Sequence, residues 1–239
     1  MILRHLHLPG LTTYAHAAKL QDRLVSHLLA HKANPTTTPA PLPTIITAQF
    51  HPVYTCGRRE VSSVSQEQVD YLTQPTPFGR ATFQPALRGG QTTFHGPGQL
   101  IAYPIIDLKR HNLRPRDYVC VLEKTVSALC KSQYGIDTIT TDNPGVWVDD
   151  MHKICALGVH LRRNVTSHGI GLNVCTELGW FERIVACGLE GKKTTSLERE
   201  GVAREMLGVE EAAEGFVRLL GERVEGVDGV VRIQEEDVD

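Results

Sequence analysis

The sequence lacks the features that mark several common classes of protein. No apolar run in its 239 residues approaches the roughly 20 residues of a bilayer-spanning helix, so we expect no membrane association. The cysteines include no C-x-x-C pair, and we expect reduced thiols in a chain that folds without disulfides. Basic residues number 25 and acidic residues 27, which indicates no nucleic-acid partner. The histidines lie at no metal-site spacing, so we predict no structural zinc.

Three catalytic or nucleotide-binding motifs are also missing. The segment 188–194 has the wrong spacing for a phosphate-binding loop, with a second lysine where a hydroxyl should stand. Gly169-Ile170-Gly171 lacks the next glycine of a dinucleotide-binding fingerprint. No Gly-x-Ser-x-Gly turn marks a serine hydrolase. The chemistry must therefore come from other segments.

Apolar periodicity predicts an α+β domain. Strands are predicted at residues 2–8, 44–50, 100–108 and 165–174, and a hairpin is predicted from residues 145–148 and 154–161. Long helices are predicted from Thr12 or Thr13 to about His31, over residues 116–134 and over residues 210–223. Since strands and helices do not alternate regularly, we expect a single domain of mixed β-sheets flanked by helices.

Composition suggests where this domain ends. We expect it to span residues 1–224, with the Pro- and Thr-rich residues 34–43 as a surface insertion, extended or disordered. The acidic residues 225–239 predict a flexible C-terminal tail. Pro104 predicts a sheet edge or a bulge in its strand. The acid-free N-terminus faintly resembles a transit peptide, but its alternating apolar residues favour a first strand.

The most informative segment runs from Arg88 to Gln99. Its twelve residues include four glycines and a proline, which suit neither a packed helix nor a regular strand. A loop that only connects two elements usually has about 4–6 residues, although a solvated surface loop remains the alternative. We interpret the segment as backbone that passes close to a ligand. Its polar groups are Arg88, Gln91, Thr92, Thr93 and His95.

Two further residues are candidates for the chemistry. Lys153 opens an apolar strand, and Cys187 ends an apolar run just before Gly188. Taken singly, a lysine here suits a solvated turn and a lone cysteine suits an inert core. Taken together, a lysine cation can stabilise the thiolate that attacks a carbonyl carbon. This pair beside a glycine-rich loop suits acyl transfer through a thioester.

Five motifs, in this order, resemble those of the octanoyltransferases of lipoate synthesis. They are the run from Arg88 to Gln99, Pro144-Gly145-Val146-Trp147-Val148, the run from Lys153 to Gly158, the run from Val165 to Asn173, and Cys187-Gly188. The resemblance covers about residues 2 to 222. It implies the fold of biotin and lipoate protein ligases, an α+β domain with mixed sheets.

The resemblance also implies a reaction. Octanoyl would pass from octanoyl-acyl carrier protein to Cys187 as a thioester, and then to a specific lysine of the lipoyl domains of 2-oxoacid dehydrogenases or of the glycine cleavage H protein. Lys153 matches the family lysine that favours the thiolate. Because the acyl group arrives activated, the reaction needs no metal, ATP or other cofactor. The octanoyl contacts would be Arg88, Gly89, Gly90, Gln91, Thr92, Thr93, Phe94, His95, Ala156, Leu157, Gly158, Gly169, Ile170 and Gly171.

Some alternatives remain open at this stage. Gly171 stands where the family commonly has alanine, which affects the floor of the acyl pocket and the preferred chain length. Lys153 or His95 could be the base for the second step, and we favour Lys153. An ATP-dependent lipoate ligase or a non-catalytic acyl-binding protein are alternative functions. The insertion and the acidic end favour mitochondria over the bacterial cytoplasm.

Overall fold

The computed structural model describes residues 1–185 and 191–238, and its central feature is a mixed sheet of eight strands. The strands are β1 (Ile2–Thr12), β2 (Thr44–Phe50), β6 (Gln99–Ile105), β7 (Val146–Trp147), β8 (His152–Arg162), β9 (Val165–Asn173), β10 (Lys193–Thr194) and β11 (Gly229–Ile233). The strand order is β10-β8-β9-β6-β2-β1-β11, with β7 beside β8. β1 runs parallel to β2 and β11, β10 runs parallel to β8, and the other neighbours are antiparallel.

Helices cover both faces of this sheet. The three long helices are those expected from the sequence, and a short one was not predicted; they are α1 (Tyr14–Ala33), α2 (Gln66–Leu72), α3 (Pro115–Tyr134) and α4 (Val209–Gly221). The Thr13 side chain caps α1 by accepting from the backbone N–H of His16 at 3.1 Å. Gly135 ends α3 with a φ of +71°, which a residue without Cβ adopts at little cost. None of the helices in the described ranges is long and apolar enough to cross a membrane.

Alternating residues of the central strands divide the core into two layers. In β2, Ile45 packs into the cluster that contains α3 and α4, whereas Ile46 packs into the cluster that contains α1. In β6, Leu100 and Tyr103 divide in the same way. This division follows from the period of two along a strand. The domain is therefore a helix–sheet–helix sandwich, in agreement with the α+β fold predicted from the sequence.

A small second sheet supports the glycine-rich segment. Its order is β4 (Thr82–Pro85), β3 (Val53–Cys56) and β5 (Thr93–His95). Aromatic side chains fill the core beneath it, where Phe94 stacks on Trp180 with 4.9 Å between ring centroids. The Tyr54 hydroxyl donates to the carbonyl of Trp180 at 2.7 Å. One end of the glycine-rich run is therefore fixed by a packed aromatic core.

The C-terminal residues differ from the flexible tail predicted for residues 225–239. β11 pairs with β1 in parallel register from Ile2↔Gly229 to Leu6↔Ile233, and Val238 is buried in the core. The prediction of a flexible tail rested on the acidic composition of the whole segment. β11 is a short edge strand, and its few β-branched residues contribute little to that composition. Residue 224 is therefore not a structural boundary.

Two other local predictions can be compared with the structure. Pro104 lies in β6, between β2 and β9, so the predicted sheet edge is wrong. The β6–β9 pairing ends at Ala102↔Ile170, before the proline that has no N–H to donate. Residues 34–43 contain no helix or strand, as expected for the insertion, but the Arg110 side chain donates to the carbonyl of Pro41 at 2.6 Å.

Candidate active site

A cavity of about 260 Å³ lies between the glycine-rich run and strands β8 and β9. It brings together residues that are distant in sequence. From the sequence-based prediction it is lined by Arg88, Gly89, Gly90, Gln91, Thr93, His95, Lys153, Ala156, Leu157, Gly158, Gly169, Ile170 and Gly171. Three predicted segments therefore converge on one cavity, with glycines on three of its walls.

Thr92 and Phe94 belong to the predicted contacts but do not line this cavity. Successive residues of a strand point to opposite faces, so Thr93 and His95 face the cavity while their neighbours face away. Phe94 lies in the aromatic core. The Thr92 backbone N–H donates to the Glu60 carboxylate at 2.6 Å, and its hydroxyl donates to the same oxygen. Both residues hold the loop in place and do not contact the cavity.

Because glycine has no side chain, the backbone of the glycine-rich run can lie close to its surroundings. A Cβ at Gly57 would lie 2.3 Å from the carbonyl oxygen of Gly90, so only glycine fits there. Gly90 itself has a φ of +85°. The Gly89 N–H donates to the carbonyl of Val159 in β8 at 3.0 Å. These contacts clamp the run between β3 and β8 and give the cavity a rigid backbone wall.

The Arg88 guanidinium is buried and acts as an internal brace for the loop. It donates to the carbonyl of Thr55 at 2.6 Å, to the carbonyl of Gln91 at 2.9 Å and to the carbonyl of Gly89 at 3.0 Å. Arginine presents several donors in a fixed planar arrangement, which suits this task. Its aliphatic stem packs against Gly158, where a Cβ would lie 2.9 Å from Cδ of Arg88. Arg88 therefore shapes the cavity and joins its two sides.

His95 belongs to a chain of buried hydrogen bonds. Gln99 donates through Nε2 to Asn173 Oδ1 at 2.8 Å, and Asn173 donates through Nδ2 to the carbonyl of Thr195 at 2.9 Å. Gln99 Oε1 is then the acceptor for His95 Nδ1 at 2.7 Å, which leaves Nε2 without a proton. Burial, together with the positive charge of Arg88, lowers the pKa of His95 to about 3. The imidazole is therefore neutral at pH 7.

Lys153 is buried at the start of β8 and is not the solvated turn residue of the alternative interpretation. Its Nζ donates to the carbonyl of Pro144 at 3.0 Å and lies 4.6 Å from the ring centroid of Trp147. A cation over an indole face is stabilised by the ring quadrupole. The lysine head is thus held on one wall of the cavity, with donor capacity left over after its one hydrogen bond.

A buried carboxylate fixes the backbone that holds this lysine. Glu123 of α3 accepts from the N–H of Gly145 at 3.0 Å. Gly145 has a φ of +131°, and a Cβ there would lie 2.7 Å from the carbonyl oxygen of Cys155 and 3.1 Å from Cε of Lys153. Glycine is required at this turn for both reasons. Glu123 therefore positions Lys153 indirectly, through the turn at Pro144 and Gly145.

Cys187, the predicted nucleophile, lies outside the described residues. Beyond it the described chain resumes at residue 191 and forms β10, where Thr194 pairs with Lys153 of β8. Among the described cysteines, burial raises the pKa of Cys56, Cys130, Cys155 and Cys175. Cys120 is exposed on α3 and does not line the cavity. None of these five thiols combines a cavity position with a stabilised thiolate.

Other lining residues were not predicted as contacts. They are Arg59, Tyr103, Val119, Asn143, Pro144 and Val159. Pro144 stands in one of the five motifs, and that motif could have identified it. Asn143 and Val159 adjoin two of those motifs, whereas Arg59, Tyr103 and Val119 come from segments that only the folded sheet brings to the cavity. No group of three or more His, Cys, Asp or Glu residues within residues 1–185 and 191–238 is arranged to hold a metal ion.

Comparison with known sequences gives close relatives along most of the chain. Residues 13–218 match the lipoyl protein ligase A/B catalytic domain. A Schizosaccharomyces pombe protein named probable octanoyltransferase is 52% identical over 201 residues, which cover 84% of this chain and 87% of that protein. A Homo sapiens protein named octanoyl-[acyl-carrier-protein]:protein N-octanoyltransferase LIPT2, mitochondrial, is 42% identical over 195 residues, 80% of this chain and 81% of its own.

Solved structures share the fold at low sequence identity. The structure of lipoate-protein ligase A bound with ATP superposes with a TM-score of 0.63 at 12% sequence identity. The superposition covers 100% of this chain and 92% of the ligase chain. A chain from the bipartite lipoate protein ligase and E2 lipoyl domain of Thermoplasma acidophilum gives 0.62 at 13% identity, over 99% of this chain and 89% of its own. These likenesses establish the architecture.

Proposed function

Since the chain belongs to the lipoyl protein ligase A/B catalytic domain family, we propose that it transfers an octanoyl group from octanoyl-acyl carrier protein to a specific lysine of lipoyl domains. The chain is an acyltransferase. The acceptors would be the lipoyl domains of 2-oxoacid dehydrogenases and the glycine cleavage H protein, and the reaction would be the first step of protein lipoylation. Relatives named mitochondrial support action in mitochondria.

The single observation that carries this proposal is the cavity that joins the glycine-rich run to buried Lys153. Leu157, Ile170 and Tyr103 supply apolar wall, which suits a saturated chain. Burying each methylene contributes about 0.8 kcal/mol, so an eight-carbon chain gains up to about 5 kcal/mol. The polar end, at Lys153, is where a reacting carbonyl group would lie.

The proposed nucleophile is Cys187. A thiolate attacks a thioester carbonyl, whereas a thiol does not, and an adjacent ammonium favours the thiolate. Lys153 is the cation that suits this role, because its Nζ makes one hydrogen bond to a carbonyl and keeps further donor capacity. The chain that follows residue 187 reaches Lys153 through β10, which supports the pairing.

Two displacements would follow. In the first, the Cys187 thiolate attacks the octanoyl carbonyl carbon, the bond to the carrier's sulfur breaks, and that sulfur takes up a proton from the Lys153 ammonium. In the second, the acceptor amine attacks the Cys187 thioester, an amide bond forms, and Cys187 leaves as a thiolate. A base must remove the proton of the acceptor amine. Lys153, which the first displacement leaves as a neutral amine, suits this step better than His95, because a histidine whose pKa is about 3 is a weak base.

Intact-mass spectrometry after exposure to octanoyl-acyl carrier protein tests the proposal. Without ATP, we expect one octanoyl adduct, located on the peptide that carries Cys187, and its transfer to an apo lipoyl domain. Cys187→Ser should abolish the adduct, whereas Cys120→Ser, at an exposed position on α3, should not.

Three results would count against this function. A product that forms only with ATP indicates a ligase, which makes an acyl-adenylate and needs no nucleophilic cysteine. An adduct on Cys155 would overturn the assignment of the nucleophile. Unaltered acyl binding by Cys187→Ser, with no transfer by the wild-type protein, indicates an acyl-binding protein without catalysis.

A further inference from the structure

Exposed arginines lie on segments that adjoin the cavity. Arg58 and Arg59 follow β3 after Gly57, and both are exposed. The Arg58 N–H donates to the carbonyl of Arg88 at 3.0 Å, and the Arg59 N–H donates to the carbonyl of Gly90 at 3.3 Å. Arg59 itself lines the cavity. The glycine-rich run therefore fixes the backbone of both arginines beside the cavity.

A third arginine comes from the tip of the β8–β9 hairpin. Arg162 is exposed and pairs with Val165 at the last position of the ladder. The same hairpin is joined to the glycine-rich run through Val159. Burial, and then the charges of Arg58 and Arg162, lower the pKa of His160, so both guanidinium groups act on one imidazole. The loop and the hairpin thus bring their cations to one place.

Within the part of the chain that the structure describes, these cations have no carboxylate partner that would neutralise them. Within the described residues, no carboxylate forms an ion pair with Arg58, Arg59 or Arg162. Glu60, the carboxylate of the same segment, already accepts from the Thr92 N–H and hydroxyl. A concentration of one sign of charge beside a cleft attracts ligands of the opposite sign. The net charge of the whole chain is −2, so this cluster is a local exception.

Exposed apolar side chains lie close in sequence to the glycine-rich run and to Arg59. Leu87, just before Arg88, is 59% exposed, and Val61, two residues after Arg59, is 40% exposed. Exposed apolar residues among arginines are typical of protein interfaces, where the arginines add direction and the apolar groups add contact area. A small molecule bound in the cavity would not need contacts with these two exposed side chains. The surface therefore suits a protein that presents anions.

We propose that Arg58, Arg59 and Arg162, with Leu87 and Val61, form the docking surface for the acidic carrier protein that delivers the acyl thioester. This inference rests on the proposed function. The guanidinium groups would pair with carboxylates of the carrier and with the phosphate of the arm that bears the thioester, since arginine binds both in a bidentate manner. Docking at this place would point the arm along the cavity towards Lys153.

Steady-state kinetics with two donors test this surface. The double variant Arg58→Gln/Arg162→Gln should raise KM for octanoyl-acyl carrier protein about ten-fold, with a weaker dependence on salt than the wild type shows. KM for octanoyl-N-acetylcysteamine, which has neither phosphate nor carrier, should change less than about two-fold. Arg218→Gln is the matched control, because Arg218 is an exposed arginine on α4, in a groove beside β11. Equal melting temperatures would establish that the variants fold.

A binding measurement separates this inference from the proposed function. Fluorescence anisotropy of labelled holo-acyl carrier protein should show salt-sensitive binding to the wild type and at least about ten-fold weaker binding to the double variant, whether or not transfer occurs. Unchanged carrier affinity and KM in the double variant would overturn the docking surface while leaving transfer intact. A rise in KM for the apo lipoyl domain alone would also overturn it, because the surface would then receive the acceptor. Absence of transfer by the wild type, with binding preserved, would overturn the proposed function only.

Discussion

The residue with the most unusual environment is Lys153, a buried ammonium that contacts a carbonyl oxygen and an indole ring. Spacing alone could not predict this burial, because it depends on the turn at Pro144 and Gly145 and on Trp147 beside it. The interpretation of Lys153 as a neighbour of the glycine-rich segment agrees with its position on the wall of the same cavity. Side-chain direction explains why two of the predicted octanoyl contacts do not line the cavity. Thr92 and Phe94 belong to the glycine-rich segment, but their side chains point away from the cavity.

Lys153→Ala should shift the alkylation of Cys187 by iodoacetamide to higher pH, since removal of the neighbouring cation disfavours the thiolate. The rate of octanoyl transfer should fall at least about 100-fold if Lys153 is also the base. Peptide mapping over a pH series measures the first effect. Lys131→Ala, at an exposed lysine paired with Asp137, is the control. An alkylation profile that matches the wild type would remove Lys153 from this role.

Gly171→Ala should fold normally and shorten the acyl cavity. The added Cβ would lie 3.4 Å from Gln99 Oε1 and 3.5 Å from Cε1 of His95, which are ordinary contacts. The ratio of kcat/KM for octanoyl over decanoyl donors should rise about ten-fold, because the family that commonly has alanine here transfers octanoyl and an added methyl group leaves less room for a longer chain. Competition between the two donors, read by mass spectrometry, measures this ratio. No change in chain-length preference would place the end of the acyl chain elsewhere.

At the scale of elements, strong periodicity predicted what long segments do. The buried strands β2, β6 and β9 and the three long helices lie close to their predicted ranges. Short or exposed elements escaped prediction because they carry little apolar signal. The sequence of α2, with polar residues at most positions, resembles a loop, and β11 is largely exposed. The convergence of three glycine-containing segments follows from strand pairing, which one sequence does not display.

Removal of residues 226–239 should destabilise the protein, because β11 completes one edge of the sheet and Val238 is buried beside α1. We expect a loss of about 3 kcal/mol, or roughly 6–12 °C in Tm. Differential scanning calorimetry measures the change. Glu236→Gln, at an exposed position of the same segment, should have no effect. A truncated chain with the wild-type Tm would restore the interpretation of this region as a free tail.

At the scale of the whole molecule, buried histidines make the free energy of unfolding sensitive to acid. Burial lowers the pKa of His5 to about 4 and the pKa values of His95 and His168 to about 3. The unfolded chain binds these protons near pH 6.5, whereas the folded chain does not. The contribution of these histidines to the free energy of unfolding is therefore fully present above about pH 6.5. It is lost as the pH decreases, by about 2 kcal/mol for each histidine at pH 5.

In thermal denaturation, the Tm of the wild type should fall between pH 7 and pH 5. The Tm of His168→Asn should fall less over the same range. His168 has a φ of +56°, and asparagine tolerates this left-handed conformation better than most residues. A variant without this imidazole loses one of these proton-linked contributions to stability, so its Tm should depend less steeply on pH. Parallel slopes for the variant and the wild type would show that His168 does not contribute.

The hydrogen bonds that begin at His95 pass from the cavity through β6 and β9 to the segment after β10. Asn173 also accepts, through its own carbonyl, from the N–H of Leu197 at 3.0 Å. An acyl chain that rests against the imidazole would restrain this whole row of amides. Deuterium uptake at Leu197 should therefore slow when the cavity is filled, which makes a remote peptide a sensor of occupancy that needs no turnover.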